Sequence, residues 1–218
     1  MLLNRTIAWI CFVLSQGTIA ISYLVSLQYD HPKVLSCNPF LQGCLNITDA
    51  GIYSPEGFIF RGGMIAACAF FIMWWLISYE FVYEKQQTHS KLNISATALG
   101  IVGSILLIVA TAVLVPPRDD INWTVHVAGA TLFFLVTFAA QVLHYIMSRT
   151  QNFISDKSKR LKLINVVTQG SMIALFFILD NTNSGEMGDL INNAIEWWLA
   201  LLIAVYYLTS VLDWKKAR

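Results

Sequence analysis

Charged residues are scarce in this sequence. Asp, Glu, Lys and Arg make up 12% of its 218 residues, about half the fraction found in a typical water-soluble domain. Hydrophobic residues make up 56%, and the formal net charge is only +1. This composition excludes an ordinary water-soluble domain. It also gives no basic surface that would indicate a nucleic-acid partner.

Cysteine and proline are also few. The four cysteines are too few for the framework of a disulfide-rich secreted domain, and none show the CxxC spacing of a metal site. The five prolines, at positions 32, 39, 55, 116 and 117, all lie outside the long apolar segments. Broken helices with Pro or Gly interruptions are typical of transporter substrate sites. The lack of proline within the apolar segments therefore disfavours transport.

Six apolar blocks dominate the chain, and each approaches the roughly 20 residues that a helix needs to cross hydrocarbon. We predict an all-α polytopic membrane protein forming a single domain over residues 1–218. The first block is too long for the core of a cleaved signal peptide, so we predict that it is retained as a span. The predicted spans are 7–27, 58–83, 94–115, 123–147, 163–179 and 191–214, and the longest connection is the loop 28–57.

Lysine and arginine are distributed unevenly between the two sides of these spans. The side that holds the amino terminus has 11 of the 14, and such an excess marks the cytosol. Six spans then return the carboxyl terminus to the cytosol as well. The cytosolic set is Arg5, Lys85, Lys91, Arg149, Lys157, Lys159, Arg160, Lys162, Lys215, Lys216 and Arg218. The opposite side has Lys33, Arg61 and Arg118.

The loop 28–57 carries two features of a lumenal or extracellular segment. Cys37 and Cys44 lie on the oxidising side, where we expect a local disulfide, with two free thiols as the alternative. Asn46 begins the sequon Asn46-Ile47-Thr48, and we expect it to be glycosylated. Both expectations depend on the orientation predicted from the cations.

Polar residues form stripes along the last three spans. His126, Thr137, Gln141 and His144 share a face of the fourth span, and similar stripes follow in the fifth and sixth. Such stripes face protein or a wet cavity, so they act either as interhelical contacts or as a transport path. His126 and His144 lie on one helix about 27 Å apart at 1.5 Å per residue, which excludes haem held between facing histidines. We expect no cofactor and no metal site.

A second group of polar residues is expected near the lumenal surface. Glu56 and Arg61 lie at the start of the second span, His126 at the start of the fourth, and Glu196 about one turn into the sixth. These side chains suit acid–base chemistry on a lipid headgroup. Equally, Glu56 or Glu196 could neutralise Arg61 as a structural ion pair, since a buried charge needs a partner.

The segment 47–60 resembles the signature of the DRAM family, the damage-regulated autophagy modulators. That signature reads approximately Ile-Ser-Asp-x-Gly-x-x-x-Pro-Glu-x-x-Ile-Phe, and here it supplies Asp49, Gly51, Pro55 and Glu56. The stretches 125–134 and 194–213 are similar to the family's fourth and sixth spans. The sequence departs from the family pattern at Thr48, Ser54, Arg61 and His144. The turn-forming residues before Glu56 also predict a rigid loop that ends at a helix amino terminus.

The resemblance implies a non-enzymatic membrane regulator of autophagy and endolysosomal traffic. Such a protein would act by organising lipids or by recruiting membrane or cytosolic partners. A second hypothesis is a lipid-modifying factor, because the wider superfamily includes a protein that acts in remodelling the lipid of GPI anchors. In that case Glu56, His126 and Glu196 are the residues to test.

The location follows from two signals that disagree. The DRAM resemblance implies the lysosomal membrane, with the plasma membrane as an alternative for related members. The chain ends in Lys215-Lys216-Ala217-Arg218, which resembles a dilysine retrieval signal for the endoplasmic reticulum. Ordinary cations that flank the last span explain the same residues.

Overall fold

The protein is all-helical. The computed structural model describes residues 2–29, 31, 34, 36–116, 120–182 and 185–216, and no strand occurs among them. The helices are α1 (Leu2–Ser26), α2 (Pro39–Gln42), α3 (Glu56–Gln86), α4 (Lys91–Ala112), α5 (Ile121–Arg149), α6 (Asp156–Asn181) and α7 (Gly185–Lys216). All except α2 are long and apolar enough to cross a membrane. The prediction of a six-pass integral membrane protein is confirmed.

The helices begin and end at different residues from the predicted spans. Helix α6 begins at Asp156 and α7 at Gly185, seven and six residues before the predicted spans. A span predicted from hydropathy ends where charged residues begin. The helix itself continues through the headgroup region as long as its backbone hydrogen bonds are satisfied. The short helix α2 was not predicted. Its cap is local, with the Asn38 side chain accepting a hydrogen bond from the Phe40 N–H at 3.1 Å.

The structure places Lys162 inside a helix, whereas the predicted spans place it in the connection that ends before residue 163. Lys162 lies within α6 with its side chain fully buried, and its Nζ donates to Asp213 Oδ2 on α7 at 2.7 Å. Asp213 also accepts from the Ser155 N–H at 3.1 Å and from the Ser158 hydroxyl at 2.9 Å. This ion pair ties α6 and α7 together at the ends predicted to be cytosolic; cytosolic and lumenal refer here to the predicted sides of the bundle.

Small residues let α3, α4 and α5 approach closely. Ala96, Gly100 and Ser104, which share a face of α4, are all buried. A Cβ on Gly100 would lie 2.0 Å from the Trp75 ring, and one on Gly103 would lie 2.4 Å from the Thr137 hydroxyl. This strip of small residues is therefore the place where the neighbouring helices pack.

The polar stripes meet one another in the middle of the bundle. Gln169 on α6 donates to the Gln141 side chain on α5 at 2.7 Å. His144 Nδ1 lies 2.9 Å from the Tyr206 hydroxyl of α7, and that hydroxyl donates to the Gln141 carbonyl at 2.8 Å. Asn165 donates to the Leu202 carbonyl at 2.9 Å. These side chains connect three helices, as the hypothesis of interhelical contacts expects.

Helix α6 is packed unevenly along its length. Its buried residues all lie in the cytosolic half: Ser158, Lys162, Asn165, Val166 and Gln169. From Gly170 to Asn181 every residue is at least partly exposed. The lumenal half of α6 therefore leaves space beside α5 and α7.

The lumenal loop folds over the end of the bundle. Trp197 of α7 donates to the Leu45 carbonyl at 3.0 Å, and Asn193 donates to the Gly43 carbonyl at 2.9 Å. Leu45 is buried, as are Ile47, Ala50 and Ile52. Cys37 and Cys44 form a disulfide, so the local disulfide predicted in this loop is confirmed.

Three predicted features lie wholly or partly outside the described residues. Lys33 and Arg118, two of the cations expected on the lumenal side, are among the residues not described. The segment that resembles a dilysine signal ends in Ala217 and Arg218, which are also not described.

The sequons give a direct test of the orientation. We expect a glycosidase-sensitive glycan on Asn46 in eukaryotic cells, because its loop is on the lumenal side, and none on Asn4 or Asn93. The measurement is the gel mobility of Asn46→Gln before and after glycosidase, with Asn4→Gln as the matched control. A glycan on Asn4 or Asn93 would reverse the orientation.

Candidate functional site

A cavity of about 200 Å³ lies where the lumenal half of α6 diverges from α5 and α7. Its apolar walls come from all three helices, and its polar end comes from the lumenal loop with α5 and α7. The apolar lining includes Phe134, Leu135, Ile173, Phe176, Phe177 and Leu199, and the polar lining includes Asn46, Thr48, His126, Thr131 and Glu196. Polar and apolar side chains thus line one space.

The cavity faces the surrounding membrane. Val127, Thr131 and Phe177 line it, and all three side chains are also exposed on the outside of the bundle. The exposed surface of a spanning helix is in contact with lipid. The exposed side chains on α5 and α6 thus give the cavity a lateral opening between these helices, and we refer to it as the lateral cavity.

His126 sits at the polar end, at the start of α5. Asp120 caps that helix, since its side chain accepts from the Trp123 N–H at 3.0 Å, and Trp123 stacks on the His126 ring. His126 Nδ1 lies 2.9 Å from the Ala110 carbonyl, and Nε2 lies 3.0 Å from the Thr48 hydroxyl. A carbonyl oxygen only accepts, so Nδ1 carries a hydrogen, and Nε2 of the neutral ring accepts from Thr48.

Glu196 lies further from its helix end than the sequence predicted. Because α7 begins at Gly185, Glu196 is 11 residues into it, about 16 Å at 1.5 Å per residue. Its carboxylate accepts a hydrogen bond from the Ile47 N–H and experiences the charge of the nearby Asp49 carboxylate. The half-buried Glu196 side chain borders the cavity. The structure thus brings Glu196 and His126 to the same cavity.

Glu56 lies in a different place. It is the first residue of α3, as predicted, and its side chain is fully buried. One carboxylate oxygen lies 3.1 Å from His31 Nε2, and the His31 ring stacks on Tyr53. A carboxylate is also favoured by the partial positive charge of a helix amino terminus. Glu56 therefore holds the lumenal loop to α3 rather than lining the cavity.

The contacts described for Arg61 involve neither Glu56 nor Glu196. Its Nη1 donates to the Leu114 carbonyl at 2.6 Å, just beyond the end of α4. The guanidinium also lies over the Phe58 ring, 5.3 Å from its centroid. A cation at the carboxyl end of a helix satisfies carbonyls that have no intrahelical donor. Arg61 thus links α3 to α4.

The signature segment forms a compact turn. The Gly51 N–H donates to the Thr48 carbonyl at 3.0 Å, and the Asp49 N–H donates to the Asn46 side chain at 2.7 Å. A Cβ at Gly51 would lie 2.4 Å from the Phe60 ring, so this position requires glycine. This agrees with the prediction of a rigid loop, and it places Thr48 against His126.

Three partners were missed from the sequence. They are His31 beside Glu56, Thr48 beside His126, and the Lys162–Asp213 ion pair. Thr48 and His126 are 78 positions apart, and no local pattern relates them. Asp213 did give a signal, since a carboxylate near the end of an apolar span requires a partner.

A family model described as the Frag1/DRAM/Sfk1/Cwh43P N-terminal domain matches residues 5–217. No curated protein and no solved structure matches the chain. The family match takes in all six spans, the lumenal loop with its disulfide, and the residues around the lateral cavity. The DRAM proteins named from the signature segment are one branch of this superfamily. The chain belongs to the Frag1/DRAM/Sfk1 family of membrane proteins.

Proposed function

We propose that this chain is a non-enzymatic regulator of autophagy and endolysosomal membrane traffic, and that it acts by holding a membrane lipid in the lateral cavity. The link to autophagy is supported by the resemblance of residues 47–60 to the DRAM signature, which also favours the lysosomal membrane. The role of lipid is supported by the cavity, because its polar end and apolar walls match the two parts of a lipid.

The size of the cavity suits part of a lipid. Its volume of about 200 Å³ falls below the roughly 300–1,000 Å³ of pockets that enclose a whole drug-sized ligand. A headgroup and the first part of a chain fit this volume, while the rest of the lipid stays in the bilayer. The lateral opening beside Val127 and Phe177 permits that arrangement.

The contacts of His126 favour binding over catalysis. A general base needs a nitrogen directed at the group that it deprotonates. In His126 one nitrogen meets the Ala110 carbonyl and the other meets the Thr48 hydroxyl. The ring therefore fixes the signature loop against α5 and supports the polar end of the cavity.

Filling the cavity tests the proposal. Ala130 lines it and is only partly exposed, so the indole of Ala130→Trp should occupy the space of the lipid. With the protein in nanodiscs containing a photoactivatable phospholipid, we expect adducts on α5 and α6 to fall roughly tenfold, which corresponds to about 1.4 kcal/mol. In knockout cells this variant should also fail to restore autophagic flux.

Ala128→Trp is the matched control, because Ala128 lies on the same helix, is exposed, and does not line the cavity. It should retain the wild-type adducts and flux. If Ala130→Trp gives wild-type adducts at the cavity, the cavity holds no lipid. If its adducts fall and flux is unchanged, the lipid has no part in autophagy.

A lipid-modifying factor is the second candidate. The observation that favours it is the presence of both Glu196 and His126 at one cavity that faces the membrane. Its chemistry would change the mass of the lipid bound there, and Glu196→Gln would abolish the change without loss of expression. Mass spectrometry of lipid recovered from the cavity separates the candidates, since our proposal expects its mass to be unaltered.

A further inference from the structure

We infer that the lateral cavity takes the primary ammonium of an ethanolamine-headed phospholipid. This inference rests on the proposed function and adds the chemical class of the lipid. It depends on the acidic side chain at the polar end and on the hydrogen-bonding groups around it.

The polar end of the cavity is acidic rather than basic. Glu196 is the carboxyl group among the described lining residues, and none of those residues is a lysine or an arginine. Its hydrogen bond from the Ile47 N–H brings no net charge. A carboxylate about three turns inside a spanning helix is costly against lipid, so a cation that enters the cavity is favoured. An anionic headgroup is disfavoured for the same reason.

Hydrogen-bond acceptors at the polar end favour a primary ammonium. The Glu196 carboxylate accepts several hydrogen bonds, and the Thr48 oxygen keeps acceptor capacity while its hydrogen is donated to His126. A primary ammonium brings three N–H donors to these oxygens, as a lysine side chain does. A choline headgroup carries the same charge but has no N–H donor. Such a match of charge and donors is the basis of strong, oriented hydrogen bonds.

The preference for ethanolamine over choline comes from its N–H donors and not from the aromatic lining. Recognition of a quaternary ammonium uses several aromatic faces around the cation. Trp123 lines the cavity, but one face of its indole is stacked on His126, with the ring centroids 5.4 Å apart. Phe134 lies in the middle of α5, whereas Phe176 and Phe177 lie near the lumenal end of α6 and pack edge-to-face on each other. The oxygens of Glu196 and Thr48 accept N–H donors, which choline does not have, so we expect ethanolamine to bind better.

The test is a headgroup series in nanodiscs with the wild-type protein. The probes are photoactivatable phospholipids of identical chains bearing ethanolamine, monomethyl-ethanolamine, dimethyl-ethanolamine, choline or glycerol, and adducts on α5 and α6 are mapped by mass spectrometry. Labelling should fall stepwise with each added methyl, reaching roughly tenfold from ethanolamine to choline, or about 1.4 kcal/mol. Phosphatidylglycerol should label least, because it is anionic.

Glu196→Gln tests the role of the charge. It should bring phosphatidylglycerol labelling close to that of the choline lipid, whereas Glu186→Gln, an exposed position in the first turn of the same helix, should leave the series unchanged. The wild-type series needs no variant, so it remains decisive if Glu196→Gln fails to fold. Equal labelling by all headgroups, blocked by Ala130→Trp, would overturn the ammonium and leave the lipid cavity intact. Cavity adducts absent with every probe would overturn both proposals.

Discussion

Lys162→Met should lower the free energy of unfolding by about 3–5 kcal/mol, the range for removing one partner of a buried ion pair. Both side chains of the Lys162–Asp213 pair are at most 2% exposed, and the charged atoms lie 2.7 Å apart. Without the ammonium, Asp213 keeps its hydrogen bonds from Ser155 and Ser158 but retains an uncompensated buried charge. The measurement is unfolding in mixed micelles, followed by circular dichroism.

Lys159→Met is the matched control for this variant. Lys159 is one turn away on the same helix, and its partner Asp156 is 86% exposed at 3.6 Å. Exposed pairs contribute about 0–1 kcal/mol, so this change should be nearly neutral. The double variant Lys162→Met, Asp213→Leu should recover part of the lost stability, because it removes both buried charges but also the acceptor of the Ser155 N–H. Equal stability of Lys162→Met and Lys159→Met would show that the pair does not hold α6 to α7.

Gly100→Ala should destabilise the bundle by about 1–3 kcal/mol, the usual cost of overpacking a core. The added methyl would lie 2.0 Å from the Trp75 indole. Trp75 is fully buried and packs edge-to-face against Trp74 and His144, so its rigid ring has no space to move. Helices α3 and α4 must separate instead. The change is measured by the same unfolding experiment.

Gly62→Ala provides the comparison, since Gly62 is also helical but has no atom within 4 Å of a built Cβ. Alanine is preferred over glycine in a helix by about 1 kcal/mol, so Gly62→Ala should be neutral or stabilising. If Gly100→Ala behaved in the same way, helix propensity rather than close packing would govern this position.

The lumenal polar residues show which features a local sequence pattern can predict and which it cannot. The sequence placed Glu56 correctly at a helix amino terminus, because the turn-forming residues before it are local signals. The partner of Glu56 was not predictable from that pattern. Four side chains at similar depth were expected to form one cluster. The structure divides them into the His31–Glu56 pair, the Arg61 contact with α4, and the cavity that has His126 and Glu196. The sequence predicts the depth of each side chain in the membrane. Whether two side chains touch also depends on how each helix is rotated about its axis.

The hydropathy of the sequence by itself determined the six spans and the all-helical fold, while the orientation inferred from the cation distribution stays a prediction. These properties depend on transfer between water and hydrocarbon, which acts on each segment separately. Only the tertiary structure decided that Lys162 is buried against Asp213, that Thr48 meets His126, and that α6 diverges to form the cavity. Those features depend on how side chains of distant segments fit together, and that fit is a property of the packed bundle.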